Sequence, residues 1–284
     1  MSRKTKAASL SVFSNTLLIV LKLTAGIISG SVSIISEAIH SFMDLLAAVI
    51  AYVSVRISDR PADERHPYGH WKIENISGVI EALLIFLAAV WIIFEAVHKL
   101  LKPAELETLG LGFAVMCFSA AVNSGVSWYL YKIAKSTGSI ALEADALHLK
   151  ADIYTSLGVA AGLGLIWITG YHILDPIVAI LVSMLILKES YSLLIKAYKP
   201  LLDESLEPEE MMMIRKIIDG YCKENIKYHD LRTRRAGNFR YVDFHLNLDE
   251  NLTVREAHDL CDTIEADIKH SLVNSEVTIH VENF

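Results

Sequence analysis

Cysteine is scarce in this chain and follows no pattern: Cys117, Cys222 and Cys261 form neither a CxxC pair nor an even framework. That excludes a disulfide scaffold and a thiolate metal site, and leaves three packing residues suited to a reducing cytoplasm. Positive charge is also in deficit. A formal net charge of -7 and a pI near 5.9 argue against nucleic acid as a partner. No small-residue cleavage site follows the first apolar stretch, which exceeds 20 residues and so reads as a retained helix instead of a removed signal. The apolar segments also lack an HExxH sequence.

What the chain has in abundance is apolar surface. Of its 284 residues 53% are hydrophobic, with a mean hydropathy of +0.39, too apolar for an ordinary soluble domain of this length. Six stretches, roughly 8–30, 32–57, 76–101, 108–133, 141–169 and 174–195, approach or exceed the about 20 residues that span a bilayer. The texture turns charged and mixed after about residue 203. The expected organisation is a six-helix transmembrane domain over 1–203 and a soluble domain over 204–284. Arg3, Lys4 and Lys6, then Lys132 and Lys135, then Lys196 and Lys199 fall on one side of six spans, outnumbering Lys99 and Lys102 on the other. The positive-inside rule predicts a multi-pass cell-membrane protein with both termini in the cytoplasm.

Two segments share one pattern. Ser36-Glu37-Ala38-Ile39-His40-Ser41-Phe42-Met43-Asp44 and Ala144-Asp145-Ala146-Leu147-His148-Leu149-Lys150-Ala151-Asp152 each place His and Asp four residues apart within an apolar run. On a helix that spacing puts both side chains on one face. Facing helices would then offer two imidazoles and two carboxylates to one point, a tetrahedral site for a divalent cation. Ionisable groups at mid-membrane cost about 2.5 to 3.5 kcal/mol each on insertion scales and are functional by default. With six spans the two motifs run antiparallel and approach the midplane from opposite sides, on the order of 10 to 15 Å deep. Inverted polar sites at mid-depth are how many secondary transporters reach substrate from either side.

Glu37 and Asp145 precede the histidines by three residues, a same-face spacing that suits either a supporting or proton-carrying role or hydration near the surface. Lys150 must point away from the metal face. Glu81 and Glu95 in the third span read as near-interface or inter-helix contacts.

Together with the loop Arg60-Pro61-Ala62-Asp63-Glu64-Arg65-His66-Pro67-Tyr68-Gly69-His70-Trp71-Lys72-Ile73-Glu74, these segments resemble the cation diffusion facilitators, over essentially the whole chain. The resemblance implies a homodimer that exports divalent metal from the cytoplasm in exchange for protons, with His40, Asp44, His148 and Asp152 as the membrane ligands. It further implies a zinc-preferring member, since both helices carry HxxxD. Ligand chemistry agrees: imidazole with carboxylate in a four-coordinate cage suits Zn²⁺ over Mg²⁺ or Ca²⁺. Fe²⁺, Co²⁺, Ni²⁺, Cd²⁺ and Mn²⁺ stay open. A second, peripheral site is implied at Asp63, His66 and His70, in a loop that proline and glycine keep out of regular helix.

The tail reads as helix 207–223, strand 226–235, strand 239–248, helix 253–270 and strand 275–282, an αββαβ module similar to the family's metallochaperone-like cytoplasmic domain. Thr253-Val254-Arg255-Glu256 looks like a capping box. His280 and Glu282 share a strand face, with His229, His245 and His258 as candidates to join them. The resemblance implies that these five bind a pair of ions bracing the dimer, with Glu282 standing where Asp is common. His98, His172 and His270 match nothing and are assigned structural or exposed roles. Two rival readings are an intramembrane metalloenzyme, which needs a general base or an open coordination position, and a metal sensor signalling through its tail.

Overall fold

A computed structural model describes residues 2–29, 32–101, 111–169, 171, 173–222 and 225–283, with side chains described in those stretches except at 26, 29, 32–37, 39, 40, 99, 111–116, 159–167 and 175. The chain divides into two compact units, Met1–Tyr198 and Lys199–Phe284.

The first unit consists of six helices: α1 Arg3–Ser29, α2 Val32–Ser58, α3 Lys72–Leu101, α4 Leu111–Thr137, α5 Ile140–Thr169 and α6 Leu174–Tyr198. Each has 25 to 30 residues, or about 40 Å of axis, enough to cross the about 30 Å hydrocarbon core. Four stretches, Arg3–Ala25, Ser41–Ser58, Lys72–His98 and Pro176–Leu202, are long and apolar enough to span by composition among the described residues. α5 instead concentrates Glu143, Asp145, His148, Lys150 and Asp152 in its first half. That charge is what the bundle must shelter.

Its polarity is arranged accordingly. Phe13, Ile27, Trp91, Phe94 and Leu181 are exposed toward where lipid would lie, while Ala47, Ala48, Ala51, Ala82, Ala89, Ala141 and Ala144 are fully buried between helices. Small side chains let backbones approach, which is how membrane helices gain packing when lipid and leucine are equally apolar. Gly78 is the extreme case. A Cβ there would lie 2.5 Å from Ile140 Cγ2 and 3.1 Å from Ala197 Cβ, so α3 meets α5 and α6 only because that atom is missing. Inter-helix hydrogen bonds add register: Ser127 Oγ donates to the Ala146 carbonyl (2.7 Å), Ser190 Oγ to Ala82 (2.7 Å) and Asn75 Nδ2 to Ala197 (3.2 Å).

The second unit runs through a short 3₁₀ turn (Lys199–Leu202), then α7 Pro208–Asp219, β1 Lys227–Ala236, β2 Phe239–Leu248, α8 Val254–Ser271 and β3 Ser275–Asn283. β2 is central, antiparallel to β1 and parallel to β3. Alternation in β2 sends Val242, Phe244, Leu246 and Leu248 into a core with Ile214 and Ile218 of α7 and Ile264 and Ile268 of α8. Its other face carries Asp243, His245 and Asn247. Thr253 caps α8 through a capping box with Glu256. α7 ends at Asp219, short of the expected residue 223, because bonds from Tyr221 N to Ile218 O (2.9 Å) and from Cys222 N to Asp219 O (3.2 Å) tighten the chain after Gly220, a poor helix former.

Candidate metal centres

Asp44 on α2 and His148 and Asp152 on α5 bring one ligand atom each to within 4.8 Å of one another. His148 Nε2 lies 3.2 Å from Asp44 Oδ1, and the two side chains are only 13% and 7% exposed. His40, one helical turn before Asp44, lies outside the described side chains. The spacing explains the convergence: i and i+4 stack His148 above Asp152 on the face of α5 that meets α2.

Two more acids crowd this site. Asp145 is 1% exposed, and among the described residues neither of its carboxylate oxygens meets a hydrogen-bond partner at bonding distance. That settles its alternatives against hydration at the surface. Glu81 of α3, fully buried, accepts a bond from Ser77 (3.0 Å) through Oε1 and leaves Oε2 unpartnered. Both are close enough to interact electrostatically with His148 and with each other. Of the two readings of Glu81, near-interface or inter-helix, its burial beside the cluster fits the second, because α3 packs against α5. Four carboxyl groups and one imidazole thus gather in a sheltered pocket, oxygen and nitrogen donors of the kind that a divalent cation accepts. Lys22, in the last third of α1 and not singled out from sequence, is buried and donates to Ser41 Oγ (2.7 Å). A lone ionisable residue in an apolar run was the available signal. Glu95, His98 and His270 are exposed, and His172 lies outside the described residues.

The loop between α2 and α3 forms a second cluster. Asp63 Oδ1 lies 3.1 Å from His66 Nδ1, Asp63 Oδ2 lies 3.4 Å from His70 Nε2, and the two rings stand 4.4 Å apart. The loop is shaped by Asp63 itself, whose Oδ1 accepts from the backbone N–H groups of Arg65 (2.9 Å) and His66 (2.7 Å). Those donors, the His66 N–H foremost, hold the Asp63 carboxyl below its usual range and keep it anionic. Gly69, at φ +80°, is required here, since a Cβ would sit 2.7 Å from Trp71 Nε1.

In the tail, register lines up three histidines. His229 pairs with His245, and His245 with His280, so the rings form one row across the sheet with centroids 5.0 and 4.9 Å apart. That is the inter-strand spacing. Glu282, two residues beyond His280 on the same face, reaches His245 (3.0 Å), His229 (3.4 Å) and His280 (3.6 Å). A register shift after His229, with Asp230 at φ 49°, adds Asp230 to the ligand groups near His229 and His245. His258 is not brought to this row. It stands exposed on α8, 3.5 Å from Asp262.

Comparison with known proteins agrees with this architecture. The family model described as the cation efflux transmembrane domain matches residues 8–202, and that of the cation efflux protein cytoplasmic domain matches residues 206–284. An uncharacterized transporter of Synechocystis, sll1263, is 38% identical over 262 residues, covering 92% of this chain and 84% of that protein. The cation-efflux pump FieF of Shewanella oneidensis is 32% identical over 274 residues, covering 96% and 92%. Among solved structures, the metal-bound C-terminal domain of the CzcD transporter from Thermotoga maritima is 26% identical, covering 28% of this chain and 94% of that one, with a TM-score of 0.25.

Proposed function

The chain belongs to the cation diffusion facilitator, or cation efflux, family, a multi-pass membrane transporter of divalent metal and not an enzyme, and on that premise we propose that it exports Zn²⁺ from the cytoplasm in exchange for protons, as a homodimer. The observation that carries this reading is the buried meeting of Asp44 with His148 and Asp152 from two different helices. His40 is the fourth ligand in the proposal, completing the tetrahedral set that zinc favours.

Coupling follows from competition for the same atoms. Zinc needs a neutral imidazole nitrogen and ionised carboxylates, so each ion bound displaces protons. His148 Nε2 faces Asp44 Oδ1 at hydrogen-bond distance; a proton held between them occupies the place that zinc takes. An unperturbed imidazole titrates near pH 6.5, so protons from a more acidic exterior release the metal outward. The inward-facing site then loses them to the cytoplasm and reloads.

Asp63, His66 and His70 serve as a peripheral cytoplasmic site on this reading. The histidine row with Glu282 holds ions that brace the dimer through the tail, without His258, which stands apart on α8. Both termini then lie in the cytoplasm, in accord with the lysine distribution. Reconstituted into liposomes carrying a pH-sensitive dye, the protein should move protons when zinc is added, and Asp152→Ala should abolish that flux. Undiminished flux in the variant would refute the site assignment.

A further inference from the structure

His148 is held at one edge of its ring. Nε2 lies 3.2 Å from Asp44 Oδ1, on the side where the ligand atoms gather, while Nδ1, at the other edge, is buried and among the described residues has no hydrogen-bond partner. An imidazole that gives Nε2 to a metal keeps its one proton on Nδ1. Metal-ligating histidines almost always donate that second N–H to a carboxylate, a carbonyl or water, and a buried N–H left without an acceptor is costly. The loaded site therefore needs one more acceptor than Asp44 and Asp152 supply, since those two are committed to the ion.

Two buried acids stand outside the ligand set, Glu81 of α3 and Asp145 of α5. The Glu81 carboxylate is half engaged: Ser77 Oγ, one turn earlier on α3, donates to Oε1 (3.0 Å), and Oε2 accepts nothing among the described residues. A buried donor without an acceptor and a buried acceptor without a donor thus lie on neighbouring helices, since α3 packs against α5. After Asp44 and Asp152, Glu81 is the acid that acts most strongly on the His148 ring. Asp145 has its own donor at hand: the buried Ser11 hydroxyl of α1 is the polar group that acts on it most strongly.

We infer that Glu81 is a positioning residue for the transport site: its Oε2 accepts from His148 Nδ1 when the ion takes Nε2, which fixes the tautomer of the ring and aims its lone pair at the metal. Ser77 completes the arrangement by holding Oε1, so that Oε2 is the oxygen presented to α5. The inference rests on the metal-site reading above and adds α3, which supplies no ligand, to the helices that hold the ion.

The test reads the zinc concentration at half-maximal proton flux in liposomes of the full-length protein, on the part of the flux that Asp152→Ala removes. Failure of the site assignment would show in that comparison, before any change at Glu81 is made. Glu81→Leu, which leaves the N–H unanswered, should raise the half-saturating zinc about 10- to 100-fold. Two further variants separate reach from charge. Glu81→Asp keeps the charge but is one methylene shorter, and should lose affinity about as Glu81→Leu does. Glu81→Gln keeps the length and an acceptor oxygen, with its amide N–H donating to the Ser77 hydroxyl, and should recover most of the loss. Parent-like half-saturation in Glu81→Asp would overturn the inference, as would a value in Glu81→Gln as high as in Glu81→Leu. A shift confined to Asp145→Asn would give the ring to Asp145 and also overturn it. If Glu81→Leu does not fold, the contrast between Glu81→Asp and Glu81→Gln, each of which keeps a polar side chain in place, decides the matter.

Discussion

Replacing Glu74 by Ala should destabilise the helical unit more than any single surface change, and the size of the effect can be worked out from its contacts. Glu74 Oε1 accepts from Lys4 Nζ (2.7 Å) and Ser58 Oγ (2.7 Å), while Oε2 accepts from Ser139 Oγ. These partners tie the start of α1, the end of α2 and the turn between α4 and α5 to the start of α3. Lys4 and Glu74 side chains are only 7% and 3% exposed, so removing the carboxylate strands a buried ammonium. Breaking a buried pair in this way costs about 3–5 kcal/mol. Asp59 Oδ1, 2.9 Å from Lys4 Nζ, stays as a partial counter-ion and places the expected loss near 3 kcal/mol. For a unit of about 200 residues that corresponds to a fall in midpoint of about 6–12 °C. The assay is thermal unfolding of the detergent-solubilised protein followed by gel filtration of what remains. In Lys4→Met/Glu74→Leu, where neither charge is left buried, much of the loss should return. A shift below about 2 °C in Glu74→Ala, or a double variant worse than the sum of the singles, would refute the account of this network.

Glu282→Ala removes the one carboxylate that touches all three histidines of the tail row, so zinc bound by the full-length protein in equilibrium dialysis should fall by at least one ion per protomer; unchanged stoichiometry would dissociate Glu282 from the site. In Glu210, burial favours the neutral acid, but Arg240 and Arg235 at 2.7 and 2.5 Å outweigh it and hold the carboxyl below its usual range. A carboxyl depressed on folding stabilises above its unfolded value, near 4.3 to 4.5, and that contribution is lost as pH falls through the folded value. Glu210→Gln should therefore lower the stability of the tail at pH 7 by about 1.5 kcal/mol and flatten its acid dependence below about pH 4.5. Circular dichroism melts between pH 3 and 7 would read both effects, and parallel curves for parent and variant would contradict the assignment.

Six helices and an αββαβ tail were legible in the sequence because each rests on local periodicity: long apolar runs for the spans, alternation for β2 and β3, a capping box for α8. The paired HxxxD segments were legible for the same reason, since four residues is one helical turn wherever the helix lies. Asp145 was visible as a same-face neighbour of His148, but its burial was undecided, because hydration depends on what α1 and α3 place around it. Glu81 was visible as a near-interface or inter-helix contact, but its place beside His148 was not, since nothing along α3 announces α5. The meeting of His229, His245 and His280 in one row depends on strand register and the shift after His229, neither of which a single strand encodes. Lys150 shows the division most sharply. Helical phase alone turned it from the metal face, but only the packing of α4 and α6 gave it Glu189 and a cavity to line. Sequence determined which groups lie on which face of each element, because bond geometry repeats along the chain; tertiary structure decided which faces meet and which charges stay buried, because packing joins residues far apart in it.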